Sequence, residues 1–318
     1  MNDRIIELSS CPVYVSVDNG LITLDFKTES PRVQVPPGEI AAVVAAHYAV
    51  TFTREAVALL ADSGAQLVIC DKRGLPAAML MPLRGFHQPA TRLAQQAATK
   101  EPVRKRLWRQ VVRSKVRAQG SMLHKLRGED AGLMQMATEV KSGDTGNIEG
   151  LAARIYWRKL FGEDFRRDPD GFDQNRFLNY GYGVLRAVTC RAICAAGLHP
   201  GLGIHHHHRA NPFCLADDLM EPFRPLVDQI VFQLWNEQMG MAVLTPVLKK
   251  RLLAILTSRL TLDGETRGMF DVLARLSISL ASVIEGRRKT LTLPKWEIPV
   301  PRSKVEPEHF LPSPAVDA

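Results

Sequence analysis

Near the N-terminus apolar and polar residues alternate with a period of two. VYVSV and LITLDF flank the turn residues Asp18, Asn19 and Gly20, a spelling that predicts a β-hairpin. RVQVP and the apolar run IAAVV predict further strands, and AQLVICDKRG and LPAAMLMPL predict two more around a turn at Lys72–Gly74. One helix interrupts them, TREAVALLADSG, with Thr53 as its N-cap and Gly64 just past its end. These elements predict a small β-sandwich-like domain over residues 1–85.

From about Ala90 the apolar spacing becomes helical, with Leu107, Val111, Val112 and Val116 on one stripe. Further helices are expected over 148–161, 175–196, 217–237, 245–260 and 264–286, with a kink near Glu221 where Pro222 interrupts the pattern. Together they predict a larger all-α domain over residues 86–293. The segment 294–318 holds six prolines and is expected to be an extended, partly disordered tail. The class is α+β, and 318 residues at 46% hydrophobic content are ample for two cores.

Charge narrows the partners. The net charge is +8, and its densest part is the segment from Val103 to Arg127, which has nine Lys or Arg residues and no Asp or Glu. Arg106, Arg109 and Arg113 recur at helical steps, with Arg104 and Arg117 flanking them. A solvated face ordinarily mixes both signs, so this row predicts contact with a phosphate backbone, without base specificity. Gly286–Lys289, GRRK, forms a weaker second patch. No apolar run reaches the ~20 residues of a membrane span, and the first residues do not read as a secretory signal. Five scattered cysteines do not form a disulfide framework. A cytoplasmic protein with reduced thiols is expected.

The candidate chemistry lies in GIHHHHRANPFCLADDLMEPFRP, Gly203 to Pro225. Asp217, Asp218 and Glu221 are spaced three and four apart, which on a helix puts carboxylates on a shared face. Their mutual repulsion calls for a cation, and a hard divalent ion with one histidine from the preceding Gly-rich loop meets that need. The bland alternative is a solvated histidine loop. Zinc held by Cys190, Cys194 and Cys214 is a further alternative, but Cys190 and Cys194 fit the core stripe of an apolar helix. Glu149, at the start of IEGLAARIYW, reads on physics alone as a carboxylate favoured by the helix dipole.

Three segments give the chain a family resemblance: IEGLAARIYW (148–157), RRDPDGFDQNRFLNYGYGVL (166–185, with Asn179, Tyr180, Gly181 and Tyr182 in an Asn-Tyr-Gly-Tyr pattern) and GLHPGLGIHHHHRANPFCLADDLMEPFRPLVD (197–228). With LVICDKRGLP (67–76), they resemble the CRISPR-associated integrases, the catalytic subunits of spacer acquisition, in wording closest to type II systems. The resemblance implies an N-terminal β domain used for dimerisation, a helical catalytic domain and a homodimer. It also implies one Mg²⁺ or Mn²⁺ site per chain, formed by Glu149, His206 and Glu221. His205 is an alternative ligand, because four adjacent histidines blur the register, and Asp218 is a supporting acid behind the ligands. The implied activity is metal-dependent DNA cleavage and integration: a 3′-OH of a spacer precursor attacks a phosphodiester of the CRISPR repeat. The implied partners are DNA and a small second Cas adaptation subunit. The competing classes are a non-catalytic DNA-binding scaffold of the same fold and a zinc-stabilised nucleic-acid module.

Overall fold

The computed structural model describes residues 4–27, 31–80, 89–237 and 243–297. The expected seam near residue 85 and the tail beyond residue 297 lie outside the described residues. The strand-rich part contains β1 (Arg4–Leu8), β2 (Val13–Asp18), β3 (Leu21–Phe26), β4 (Val33–Val35), β5 (Ile40–Ala45), β6 (Val50–Phe52), helix α1 (Arg54–Asp62), β7 (Gln66–Cys70) and β8 (Pro76–Met79). These strands form two four-stranded sheets, ordered β1-β5-β7-β8 and β4-β3-β2-β6.

The β2–β3 hairpin closes at Asp18↔Leu21. Asn19 (φ 49°) and Gly20 (φ 76°) both adopt the left-handed conformation that a two-residue turn needs to match the strand twist. Thr53 caps α1 by accepting the Ala56 N–H at 3.1 Å. In the first sheet β1, β5 and β7 run parallel, and every residue of β5, IAAVVA, is buried. A parallel strand covered on both faces needs such a continuous apolar run. Its register partners divide between two cores. Val43 and Leu67 pack with residues of the second sheet, while Val44 and Val68 pack among the helices.

The helices are α2 (Pro89–Ala97), α3 (Glu101–Arg127), α4 (Leu133–Glu139), α5 (Ile148–Phe161), α6 (Gln174–Ala195), α7 (Cys214–Met220), α8 (Arg224–Glu237), α9 (Pro246–Leu252) and α10 (Met269–Ile284). The expected helix over 217–237 breaks at Pro222, where a short 3-10 turn, Glu221–Phe223, joins α7 to α8. α6 and α8 cross closely at Gly181, where a Cβ would meet Val227 Cγ1 at 2.4 Å.

Helices alone do not account for this half. The expected helices over 245–260 and 264–286 form as α9 and α10, but the stretch between them is a hairpin, β9 (Arg259–Leu262) and β10 (Glu265–Gly268). The cause is local: RLTL alternates polar and apolar residues, and Asp263 (φ 51°) and Gly264 (φ 82°) form a left-handed turn pair. The first residues of the proline-rich segment lie along α3. Trp296 Nε1 donates to Ser114 Oγ at 3.1 Å, and Ser121 Oγ donates to the Glu297 carbonyl at 3.1 Å.

Candidate active site

Glu149 is the second residue of α5. A tight connection precedes it, with Gly143, Asp144 and Asn147 all at positive φ. The Asp144 carboxylate accepts the N–H groups of Ile148 (3.0 Å) and Glu149 (2.9 Å). It therefore satisfies two of the helix's free amides and leaves the Glu149 side chain available to the cleft.

The histidine loop is built around Asp218. This fully buried carboxylate accepts backbone N–H bonds from Ile204 (2.6 Å), His205 (2.9 Å) and His206 (3.2 Å), and it meets His206 Nδ1 at 2.6 Å. A carboxylate only accepts, so Nδ1 carries a proton, and in the neutral ring the Nε2 lone pair remains for a ligand. The hydrogen bond to Asp218 raises the pKa of His206 above its ordinary value against the pull of partial burial. Gly203 permits the loop's close approach, since a Cβ there would meet the His206 carbonyl oxygen at 2.2 Å.

His205 is committed elsewhere. Its ring stacks on the buried Trp108 of α3, with centroids 4.2 Å apart and planes 4° apart, and burial lowers its pKa. Among the described residues, His206 is the histidine joined to the acidic helix through its ring.

Glu221 closes the site from the 3-10 turn and is 4% exposed. Its Oε1 pairs with Arg224 Nε at 3.0 Å, and its Oε2 lies 2.6 Å from Lys115 Nζ. The same ammonium donates to Glu149 Oε1 at 2.6 Å. Glu149 and Glu221, 72 positions apart in the chain, thus converge on one cationic centre. Burial raises the Glu221 pKa, but Arg224, Lys115 and His206 outweigh it, and the net shift is downward. For Lys115 burial acts downward, and the two carboxylates hold the ammonium charged with a net upward shift.

The structure gives each acid of this segment its own partners. Asp217, Asp218 and Glu221 do not share one cation: Asp217 turns to Arg186 Nε (2.7 Å) and Asn211 Nδ2 (2.7 Å), Asp218 takes the loop amides, and Glu221 takes Lys115 and Arg224. The break at Pro222 and a separate set of donors for each acid relieve their repulsion. Of the arginine row, Arg104 lies nearest this cleft. On a 3.6-residue helix Arg106, Arg113 and Arg117 lie about half a turn from Trp108 and Lys115, and Arg109 about a third of a turn; Arg113 donates to the Thr138 carbonyl at 2.9 Å. Arg104 alone of the five borders the histidine loop, beside Gly203, His206 and Arg209.

Among the described residues no three His, Cys, Asp or Glu side chains stand close enough to hold a metal ion as they lie, and the Lys115 ammonium sits between the two glutamates. The donor set nonetheless fits a hard divalent ion: two converging carboxylates and an imidazole with one nitrogen oriented by an acid. Glu221 Oε2 is buried and meets the Lys115 ammonium at 2.6 Å.

Comparison with known proteins places the architecture. The family model for the CRISPR associated protein Cas1 matches residues 8–242. The chain belongs to the Cas1 family. The CRISPR-associated endonuclease Cas1 of Neisseria meningitidis serogroup C is 36% identical over 267 residues, covering 82% of this chain and 86% of that one. A Cas1 endonuclease of Pyrobaculum aerophilum is 28% identical, covering 73% of this chain and 83% of its own. Among solved structures, a casposase bound to integration product has a TM-score of 0.75 at 21% identity over 91% of this chain and 92% of that one. A Cas1 protein from Thermotoga maritima has a TM-score of 0.70 at 17% identity over 90% of this chain and 98% of that one. At these identities the structural likeness concerns the fold, and the Cas1 assignment rests on the sequence match.

The residues that the chain's pattern did not single out are Lys115, Arg224, Asp144 and Asp228. Lys115 was visible only as one of nine basic residues, and its place among the carboxylates follows from how α3 packs against α5 and the 3-10 turn. Arg224 had a local signal, its three-residue spacing from Glu221.

Proposed function

We propose that this chain is a divalent-metal-dependent DNA integrase and endonuclease of CRISPR spacer acquisition. The observation that carries the reading is the convergence of Glu149 and Glu221 on one cationic centre, within a family whose members include named CRISPR-associated endonucleases. An N-terminal β domain that dimerises and a helical domain that does the chemistry belong to the same proposal.

Glu149, Glu221 and Nε2 of His206 are the proposed ligands of Mg²⁺ or Mn²⁺. When bound, the ion supplies positive charge at the scissile phosphate and lowers the pKa of a bound hydroxyl. Asp218 holds the His206 ring in one tautomer and orientation. Arg104, at the edge of the cleft, draws in the phosphodiester. The 3′-oxygen of the incoming strand bonds to phosphorus as the target's P–O3′ bond breaks, and the departing oxygen takes up a proton. One phosphodiester replaces another, so no external energy is needed; with water as the nucleophile the same site hydrolyses DNA. Positioning and electrostatics carry most of such a reaction.

DNA and a second Cas subunit are the proposed partners. This is supported by fold neighbours titled as a casposase bound to integration product and as a Cas6-RT-Cas1–Cas2 complex. The test is joining of a pre-formed DNA fragment to a CRISPR-repeat duplex in Mn²⁺. Glu149→Gln and Glu221→Gln are expected to lose joining by on the order of 10³-fold or more while retaining DNA binding. Near-normal joining by either variant would remove these glutamates from the active site.

A further inference from the structure

Three lysines lie on α3, and two of them behave as surface residues: Lys105 pairs with Glu101, and Lys125 meets Gln229 Oε1. Lys115 is different. Its side chain is 12% exposed, and Nζ lies 2.6 Å from an oxygen of each of two carboxylates that come from separate elements. Burying an ammonium costs several kcal/mol unless its charge is met, and here it is met twice. Removing a partner from such a cluster leaves an uncompensated charge, which is the costly change.

The charge count is informative. Glu149 and Glu221 are balanced by Lys115 and Arg224, so the cluster is already neutral. A divalent ion entering between the same carboxylates would bring two positive charges against an ammonium that shares their oxygens. Arg224 engages Glu221 from its other oxygen and does not stand in the way; Lys115 does.

Resting on the metal-dependent reading above, we propose that Lys115 is a resident counter-ion: it holds Glu149 and Glu221 converged while no divalent ion is bound, and the ion must displace it. The lysine therefore lowers the site's metal affinity and in exchange keeps two converging carboxylates, one of them buried, from forcing the site apart. A negatively charged phosphate arriving in the cleft offers the displaced ammonium a new partner, so ion and DNA are expected to load together.

The test compares wild type, Lys115→Met, Lys115→Gln and Glu221→Gln as full-length proteins, by calorimetric titration with Mn²⁺ and by thermal melting with and without the ion. Lys115→Met is expected to melt lower than wild type in chelator, to bind Mn²⁺ roughly tenfold tighter or more, and to gain more melting temperature from Mn²⁺ than wild type gains. A Lys115→Met protein that folds only when Mn²⁺ is supplied supports the proposal as well. If Lys115→Met does not fold in either condition, Lys115→Gln, neutral and of similar length, decides: tighter binding supports the proposal, equal or weaker binding overturns it. Wild type that binds Mn²⁺ beside lysine variants that bind it no more tightly overturns the counter-ion role alone. Absence of Mn²⁺ binding in wild type, both lysine variants and Glu221→Gln alike overturns the metal reading itself, and the counter-ion role with it.

Discussion

Asp228 is a buried carboxylate that the cleft itself does not use. The hydroxyls of Tyr156 (2.9 Å) and Tyr182 donate to its two oxygens, and the Arg224 guanidinium lies 4.7 Å from the centre of the Tyr182 ring. Burial is the main influence and pushes its pKa up to about 7 from the ordinary 3.8, against the pull of the tyrosines and Arg224. Between those two values the folded protein holds a proton that the unfolded chain has lost. Stability therefore falls as pH rises through this window and levels above it. Asp228→Asn is expected to flatten that part of the profile, so that its deficit relative to wild type in urea melts is larger at pH 5 than at pH 8; parallel profiles would remove the assignment. Gly203→Ala is expected to cost about 1–3 kcal/mol in the same measurement, because the added Cβ would meet the His206 backbone oxygen at 2.2 Å, and to weaken Mn²⁺ binding through the displaced ring. At this scale sequence reasoning reached the residue types and stopped at their partners. Glu149, His206 and Asp218 stand out by motif, but which carboxylate takes the loop amides depends on the backbone turning at Gly203 and Pro222.

Elements with a strong local code were legible in advance: the Asn19–Gly20 hairpin, the Thr53-capped helix, and α5, whose ends agree with the expected 148–161. The β9–β10 hairpin carries an equally local signal in Asp263–Gly264, but its first strand is short enough for Leu260 and Leu262 to satisfy either period. On α3 the code was ambiguous in another way. One run of basic residues serves two faces, since Lys115 enters the glutamate cluster while Arg106, Arg109 and Arg113 look away from it. Reversing those three arginine charges is therefore expected to weaken binding to all DNA sequences alike and to shallow the dependence of log K on log[salt], with Mn²⁺ affinity unchanged. An unaltered salt slope would reduce the row to a solvated face. Among the described residues no helix is long and apolar enough to cross a membrane.

Across the whole molecule the first sheet is shared property. Val44 and Val68 belong to the helical core while their neighbours Val43 and Leu67 belong to the sandwich, and Gly183 of α6 lies against Pro76 so closely that a Cβ would fall 2.7 Å from Pro76 Cγ. The change of period near residue 85 reads as a boundary in the chain, yet the strands before it floor the helices after it. That sharing was invisible in sequence, because IAAVVA states only that both faces are covered and not by what. All four tryptophans lie beyond residue 100, so their fluorescence reports the helical half, whereas far-UV circular dichroism reports both halves. The two signals are expected to give coincident urea transitions; a separate early transition in dichroism would mean that the strand-rich part melts on its own.

The stack of His205 on Trp108 gives the molecule an optical reporter of its own. An indole sealed in apolar surroundings emits toward the blue, and an imidazole in face contact with it is a natural quencher. Whatever lifts the loop from α3 would brighten and redden that one emitter. The difference spectrum between wild type and Trp108→Phe would thus follow the loop in real time, with no dye attached to the surface.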